Sequence, residues 1–207
     1  GILERALPQL EQVRLGAALP GRLGRCRCAA TAAMAEVLPA AAEPVTRVAA
    51  EQSNTSVIYG QQATLKLFRK LEPGPNPEFE ITDFLTRATS FRGVPRLAGA
   101  ILYETETAEA VTVAVLQEFV PNEGDAWSAT QRRLAEYFAA VHTAVEAGDT
   151  RGEAFVRTLA DADAEEARRL GALTGQLHMA LASATDPALA PEAITPADLA
   201  AWRDGMQ

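Results

Sequence analysis

The sequence is short of several things. No apolar run approaches the ~20 residues that a membrane-spanning helix requires, and the start, Gly1-Ile2-Leu3-Glu4-Arg5, lacks the basic and apolar regions of a signal peptide. Both absences place the chain in the cytoplasm. There are two cysteines, Cys26 and Cys28, one residue apart, too close to staple distant segments and too few for a closed zinc site. A Walker motif, a Gly-x-Ser-x-Gly elbow and a paired-His metal motif are all missing. His142 and His178 have no carboxylate or cysteine at metal-ligand spacing, so neither is read as a ligand. Lysine is the scarcest charge: of 19 basic residues only Lys66 and Lys70 are lysine. A compact ammonium kept where arginine is the rule hints at a site that a planar guanidinium would not fit.

What is present is a globular composition. The chain has 207 residues, 48% of them hydrophobic and 22% charged, with about a fifth alanine. That is ample for a core without disulfides or metals and excludes disorder throughout. The net charge of −8 repels a phosphate backbone, so neither nucleic acid nor an anionic membrane is an expected partner.

Hydrophobic periodicity divides the chain into three parts. In residues 1–44, an amphipathic helix over residues 1 to about 18, ended by Gly16 and Pro20, is followed by an Arg-, Ala- and Pro-rich connector with room for one short helix at 29–38. Residues 45–123 read as strands 45–48, 56–59 and 63–68, a helix opened by Asn76 and Pro77, then strands 97–103 and 111–119. Gly60-Gln61-Gln62 is a tight hairpin turn. The helix's apolar face is expected at Ile81, Phe84, Leu85 and Ala88. Residues 124–207 are helical, with a capping box at Ser128-Ala129-Thr130-Gln131, a stop at Gly148, a second helix over 161–184 and a third from Thr195. The class is α+β, because strands with one helix precede a run of helices.

Three constellations could carry chemistry. Lys66 sits mid-strand, and Glu80 on the following helix is placed to look across at it, the device by which protein kinases aim an ammonium at ATP's phosphates. Glu51-Gln52-Ser53-Asn54-Thr55-Ser56 reads as a polar turn whose amides and hydroxyls suit phosphate oxygens. The stretch 116–127 is an apolar strand running into a polar loop and then a helix, as at the hinge between kinase lobes. They occur in the order that a kinase N-lobe requires.

Together with Leu65-Lys66-Leu67-Phe68-Arg69, Asn76-Pro77, Gln117-Glu118-Phe119-Val120-Pro121-Asn122, Gly124-Asp125-Ala126-Trp127 and Leu177-His178, these residues resemble bacterial maltokinases, which stand alone or are fused behind trehalose synthase. The resemblance covers residues 51–199. It implies a protein-kinase-like N-lobe, an antiparallel sheet plus one helix, followed by helices from the start of the C-lobe. It also implies ATP and Mg2+ as cofactors and transfer of the γ-phosphoryl group to maltose, feeding α-glucan synthesis.

By position, Lys66 would hold the phosphates and Glu80 would orient it. Ser53, Asn54, Thr55 and Ser56 would line the phosphate end, and Glu118 and Val120 would offer hinge backbone to adenine. The family's His-Gly-Asp loop and later Asp motif have no counterpart here, so the resemblance implies a fragment with no catalytic or metal-binding residues of its own and little activity alone. Helices after Ser128 would then expose Leu134, Phe138 and Val141 and favour self-association. The alternatives are a kinase for another small hydroxyl compound, or a non-catalytic module that contacts trehalose synthase.

Overall fold

The computed structural model describes residues 16–20, 23–37, 44–48, 54–74, 76–106, 108–148 and 152–206. The helix expected over residues 1 to about 18 lies outside them up to residue 15, and its expected end is corrected: Gly16 is in a turn and Ala18–Pro20 is a strand. Seven strands form one antiparallel sheet: β1 (Ala18–Pro20), β2 (Arg25–Ala30), β3 (Val45–Arg47), β4 (Asn54–Tyr59), β5 (Ala63–Phe68), β6 (Leu97–Glu104) and β7 (Val111–Glu118), in the order β1-β2-β6-β7-β5-β4-β3. Helices are α1 (Met34–Val37), α2 (Pro77–Ala88), α3 (Ala126–Glu146), α4 (Gly152–Ala182) and α5 (Pro196–Gly205). The class is α+β as expected. Strands β3 to β7 with α2 between β5 and β6 follow the element order expected of the second segment, and β1 and β2 extend the sheet beyond β6.

Local chemistry explains the central pairings. β4 and β5 meet through a turn in which the Gln62 N–H donates to the Tyr59 carbonyl at 2.8 Å, with Gly60 at φ 49° and Gln61 at φ 58°. Two consecutive positive φ values match the strands' twist in a connection that leaves Tyr59 opposite Ala63. Alternation along β5 then sends Leu65 to one face and Lys66 to the other. Leu65 is fully buried among Val57, Tyr59, Leu116, Met34 and Val37, so this face, covered by α1, is the main core.

The opposite face carries α2. Asn76 caps it, its side chain accepting from the Glu78 and Phe79 N–H groups at 3.0 and 3.3 Å, with Pro77 in the first turn. Leu85 and Thr82 are the buried residues of α2, and Thr86 Oγ1 accepts from the Leu97 N–H at 2.9 Å, tying the helix to β6.

Three further expectations are corrected. The connector before residue 45 contains β2, which pairs with β6 from Arg25 opposite Glu104 to Ala30 opposite Gly99. Its Arg-Cys-Arg-Cys alternation has the strand period, with Cys28 buried in the core and Arg25 and Arg27 both donating to Glu104 at 2.9 and 2.5 Å. The face of α2 is rotated: Ala88 is exposed and Thr82 buried. Helix α3 starts earlier than its supposed capping box, because Asp125 accepts from the Ser128 N–H at 2.8 Å and so caps a helix beginning at Ala126.

α3 ends before Gly148, whose φ of 64° suits glycine, α4 begins at Gly152 rather than 161, and Thr195 and Asp198 form a capping box for α5. Arg133 of α3 pairs with Asp163 and Glu166 of α4 at 3.2 and 2.6 Å. No residue of α3 or α5 is buried, and Trp127, Leu134, Phe138 and Trp202 stand exposed. No described helix is long and apolar enough to cross a membrane.

Candidate phosphate-binding site

Lys66 occupies the middle of the lobe. β5 lies between β4 and β7, and Lys66 stands opposite Ser56 on one side and Val115 on the other. Its ammonium reaches over the sheet to α2, where it meets the Glu78 carboxylate at 2.8 and 3.0 Å, 5.8 Å from the centre of the Phe68 ring. Both partners are partly shielded, at 25% and 32% side-chain exposure. The pair is therefore stronger than a solvated one and still open to a ligand.

The partner is Glu78, two residues before the expected Glu80. At 100° per residue the two side chains point about 200° apart. Glu78 lies on the line of Thr82 and Leu85, the residues that α2 buries against the sheet. Glu80 turns away toward Leu102, Glu109 and Thr112. The periodic apolar residues Ile81 and Phe84 pulled the expected face round the helix; the contiguity of Glu78, Thr82 and Leu85 at spacings of four and three was the overlooked signal.

The polar stretch before Lys66 is a strand where it is described. Asn54, Thr55 and Ser56 are the first residues of β4, and Ser53 lies outside the described residues. Strand alternation puts Asn54 and Ser56 on the Lys66 face and Thr55, opposite Leu67, on the other. Ser56 is only 2% exposed, so it borders Lys66 from within the sheet. Arg69 Nε donates to the Asn54 carbonyl at 3.1 Å, holding the end of β5 against the start of β4.

The connection after β7 is pinned from two sides. The Glu118 N–H donates to the Arg96 carbonyl at 2.9 Å, and the Phe119 N–H to the Gln62 carbonyl at 2.8 Å. The Glu118 carboxylate accepts from Arg96 Nε at 3.1 Å, and Arg96 Nη1 also meets Glu36 at 2.6 Å. Those contacts with Arg96 hold the Glu118 carboxyl below the usual carboxylate range. The Glu118 amide is thus committed within the fold. Val120 is half exposed and its carbonyl accepts from Asn122 Nδ2 at 3.2 Å, while its N–H has no partner among the described residues. Arg96 and Glu36 were not legible as parts of this connection, because 60 residues separate them.

Other chemistry is sparse. A cavity of about 780 Å³ between residues 88–93 and α4 lies away from Lys66, and its one cation, Arg92, donates to the Thr89 and Phe91 carbonyls. Among the described residues no group of three or more His, Cys, Asp or Glu could hold a metal ion. His142 is paired with Glu146 at 3.4 Å, His178 is exposed, and both cysteines are free thiols. Burial pushes the Cys28 thiol up, away from the reactive thiolate.

No family model matches the sequence. Over 157 residues it is 29% identical to a glucosamine kinase of Mycolicibacterium smegmatis, a match that takes in 76% of this chain and 34% of that protein. A solved glucosamine kinase, in crystal form B, superposes with a TM-score of 0.47 and 21% identity over 98% of this chain and 54% of that one. The chain spans about a third of the length of this curated relative, which is a sugar kinase.

Proposed function

We propose that this chain carries the nucleotide-binding lobe of an ATP-dependent sugar kinase, with Lys66 as the group that contacts the phosphates. The observation carrying the reading is the Lys66–Glu78 pair, which sets a lysine mid-sheet against the helix between the third and fourth strands of the lobe. Asn54 and Ser56 border the same face, and the Val120 N–H is the hinge donor offered to an adenine edge. In the reaction the bond from the γ-phosphorus to the bridging oxygen breaks, a bond to a sugar hydroxyl oxygen forms, ADP leaves, and the hydroxyl proton passes to a base. No described residue is assigned as that base.

Similarity to a glucosamine kinase supports a sugar as acceptor. The motifs around Lys66 and the hinge resemble those of maltokinases and favour maltose.

The scarcity of lysine supplies a direct test of the nucleotide site. An acyl-phosphate reagent modifies exposed lysines, and Lys70, 86% exposed and paired with Glu72, is the internal control. ATP is expected to protect Lys66 and leave Lys70 labelled. Equal labelling of Lys66 with and without ATP overturns the reading.

A further inference from the structure

On the side of α2 turned away from Lys66, a cavity of about 420 Å³ is bounded by Gly74, Phe79, Glu80, Leu102, Glu109 and Thr112. We propose that it binds a small organic cation, a primary ammonium group on a compact hydrocarbon body.

Two carboxylates line this cavity, and neither the Glu80 nor the Glu109 side chain has a hydrogen bond or ion pair with any described residue. Such carboxylates raise the local attraction for a positive charge. Thr112 is an independent indication. It is 5% exposed, lines the cavity, and its hydroxyl has no partner among the described residues. The hydroxyl is unpartnered without being sealed from solvent, so it is open to a donor such as an ammonium N–H.

The remaining wall is hydrocarbon: the Phe79 ring, Leu102 and Ala110. An aromatic face suits a cation or its alkyl body. A hard metal ion is the poorer occupant, because it demands about six oxygens and this wall has three oxygen-bearing side chains beside apolar ones. The backbone also makes room. Gly74 has φ 92°, bridges to Val111, and a Cβ there would fall 2.8 Å from Glu109 Oε2. The positive φ favours glycine there, and any larger residue would push the flexible Glu109 carboxylate aside.

The test is an amide NMR titration with benzylammonium chloride at constant ionic strength, with benzyl alcohol as the uncharged isostere. Saturable shifts centred on residues 74, 79, 80, 110 and 112 are expected with the cation alone. The Glu80→Gln/Glu109→Gln double variant is expected to bind at least about tenfold more weakly, a difference of ~1.4 kcal/mol. Ala110→Trp, at an exposed position, fills the mouth while keeping both carboxylates and is expected to abolish binding. The proposal is overturned by equal binding of benzyl alcohol, by affinity unchanged in either variant, by displacement of the cation by stoichiometric Mg2+, or by shifts that never saturate and spread over the acidic surface.

Discussion

The Lys66 ammonium lies 2.8 Å from Glu78 Oε2 and 5.8 Å from the Phe68 ring centre, so its position is set by one helix carboxylate above the sheet and one aromatic residue beside it on the strand. If that geometry aims the ammonium at phosphate, loss of the Glu78 charge releases it, whereas loss of the Glu80 charge, on another side of α2, does not. Glu78→Gln is expected to raise the ATP concentration that protects Lys66 from acylation by about tenfold, equivalent to ~1.4 kcal/mol. Glu80→Gln is expected to change it less than about twofold. Equal effects of the two substitutions would show that Glu78 does not position the lysine.

Gln61 is the one described residue other than glycine with a positive φ. An L side chain there crowds its own carbonyl at a cost of roughly 1–2 kcal/mol, which glycine avoids, offset by the ~0.5–1 kcal/mol that glycine's freer unfolded chain costs. Gln61 is exposed, so its side chain contributes no core packing. Gln61→Gly is expected to stabilise the fold by about 0.5 kcal/mol. The urea midpoint should rise with an unchanged m-value; a lowered midpoint would mean that the glutamine side chain supports the turn.

How much was legible in advance depended on whether one residue's local chemistry decided the outcome. Ala63–Phe68 is a strand with the bounds its alternation indicated, and Asn76 with Pro77 opens α2 because cap and first-turn proline act within four residues. β2 was missed because Cys and Arg carry little strand propensity. Its strand character comes from β6, whose Glu104 collects both arginines. Glu78 was missed for a related reason: the helix's rotation is set by what β6 and β7 present to it, and Thr82, polar by type, is buried there. Asn54 to Ser56 looked like a turn by composition and are held in β4 by pairing with Phe68 to Lys66. In each case a partner distant in sequence overrode the residue's own preference.

The Arg96 network illustrates such a partner and gives a pH signature. Arg96 holds the Glu118 carboxyl below its ordinary value, while its own guanidinium, raised further by Glu118 and Glu36, stays charged. A carboxyl whose folded value is depressed contributes stability that is fully present above its unfolded value, about 4.3, and is lost as pH falls through the folded value. The side chain of Glu118 is 37% exposed, so solvent screening limits the contribution to about 1 kcal/mol or less. Glu118→Gln is therefore expected to lower the urea-unfolding free energy by up to that amount between pH 5 and 7, with the gap narrowing below about pH 4.3 as the wild-type carboxyl takes up its proton. Arg96→Lys should reproduce part of the loss, because an ammonium cannot bridge Glu36 and Glu118 with a planar fork. A wild-type to Glu118→Gln difference that persists unchanged to pH 3 would show that packing, rather than the ion pair, ties the connection after β7 to the sheet.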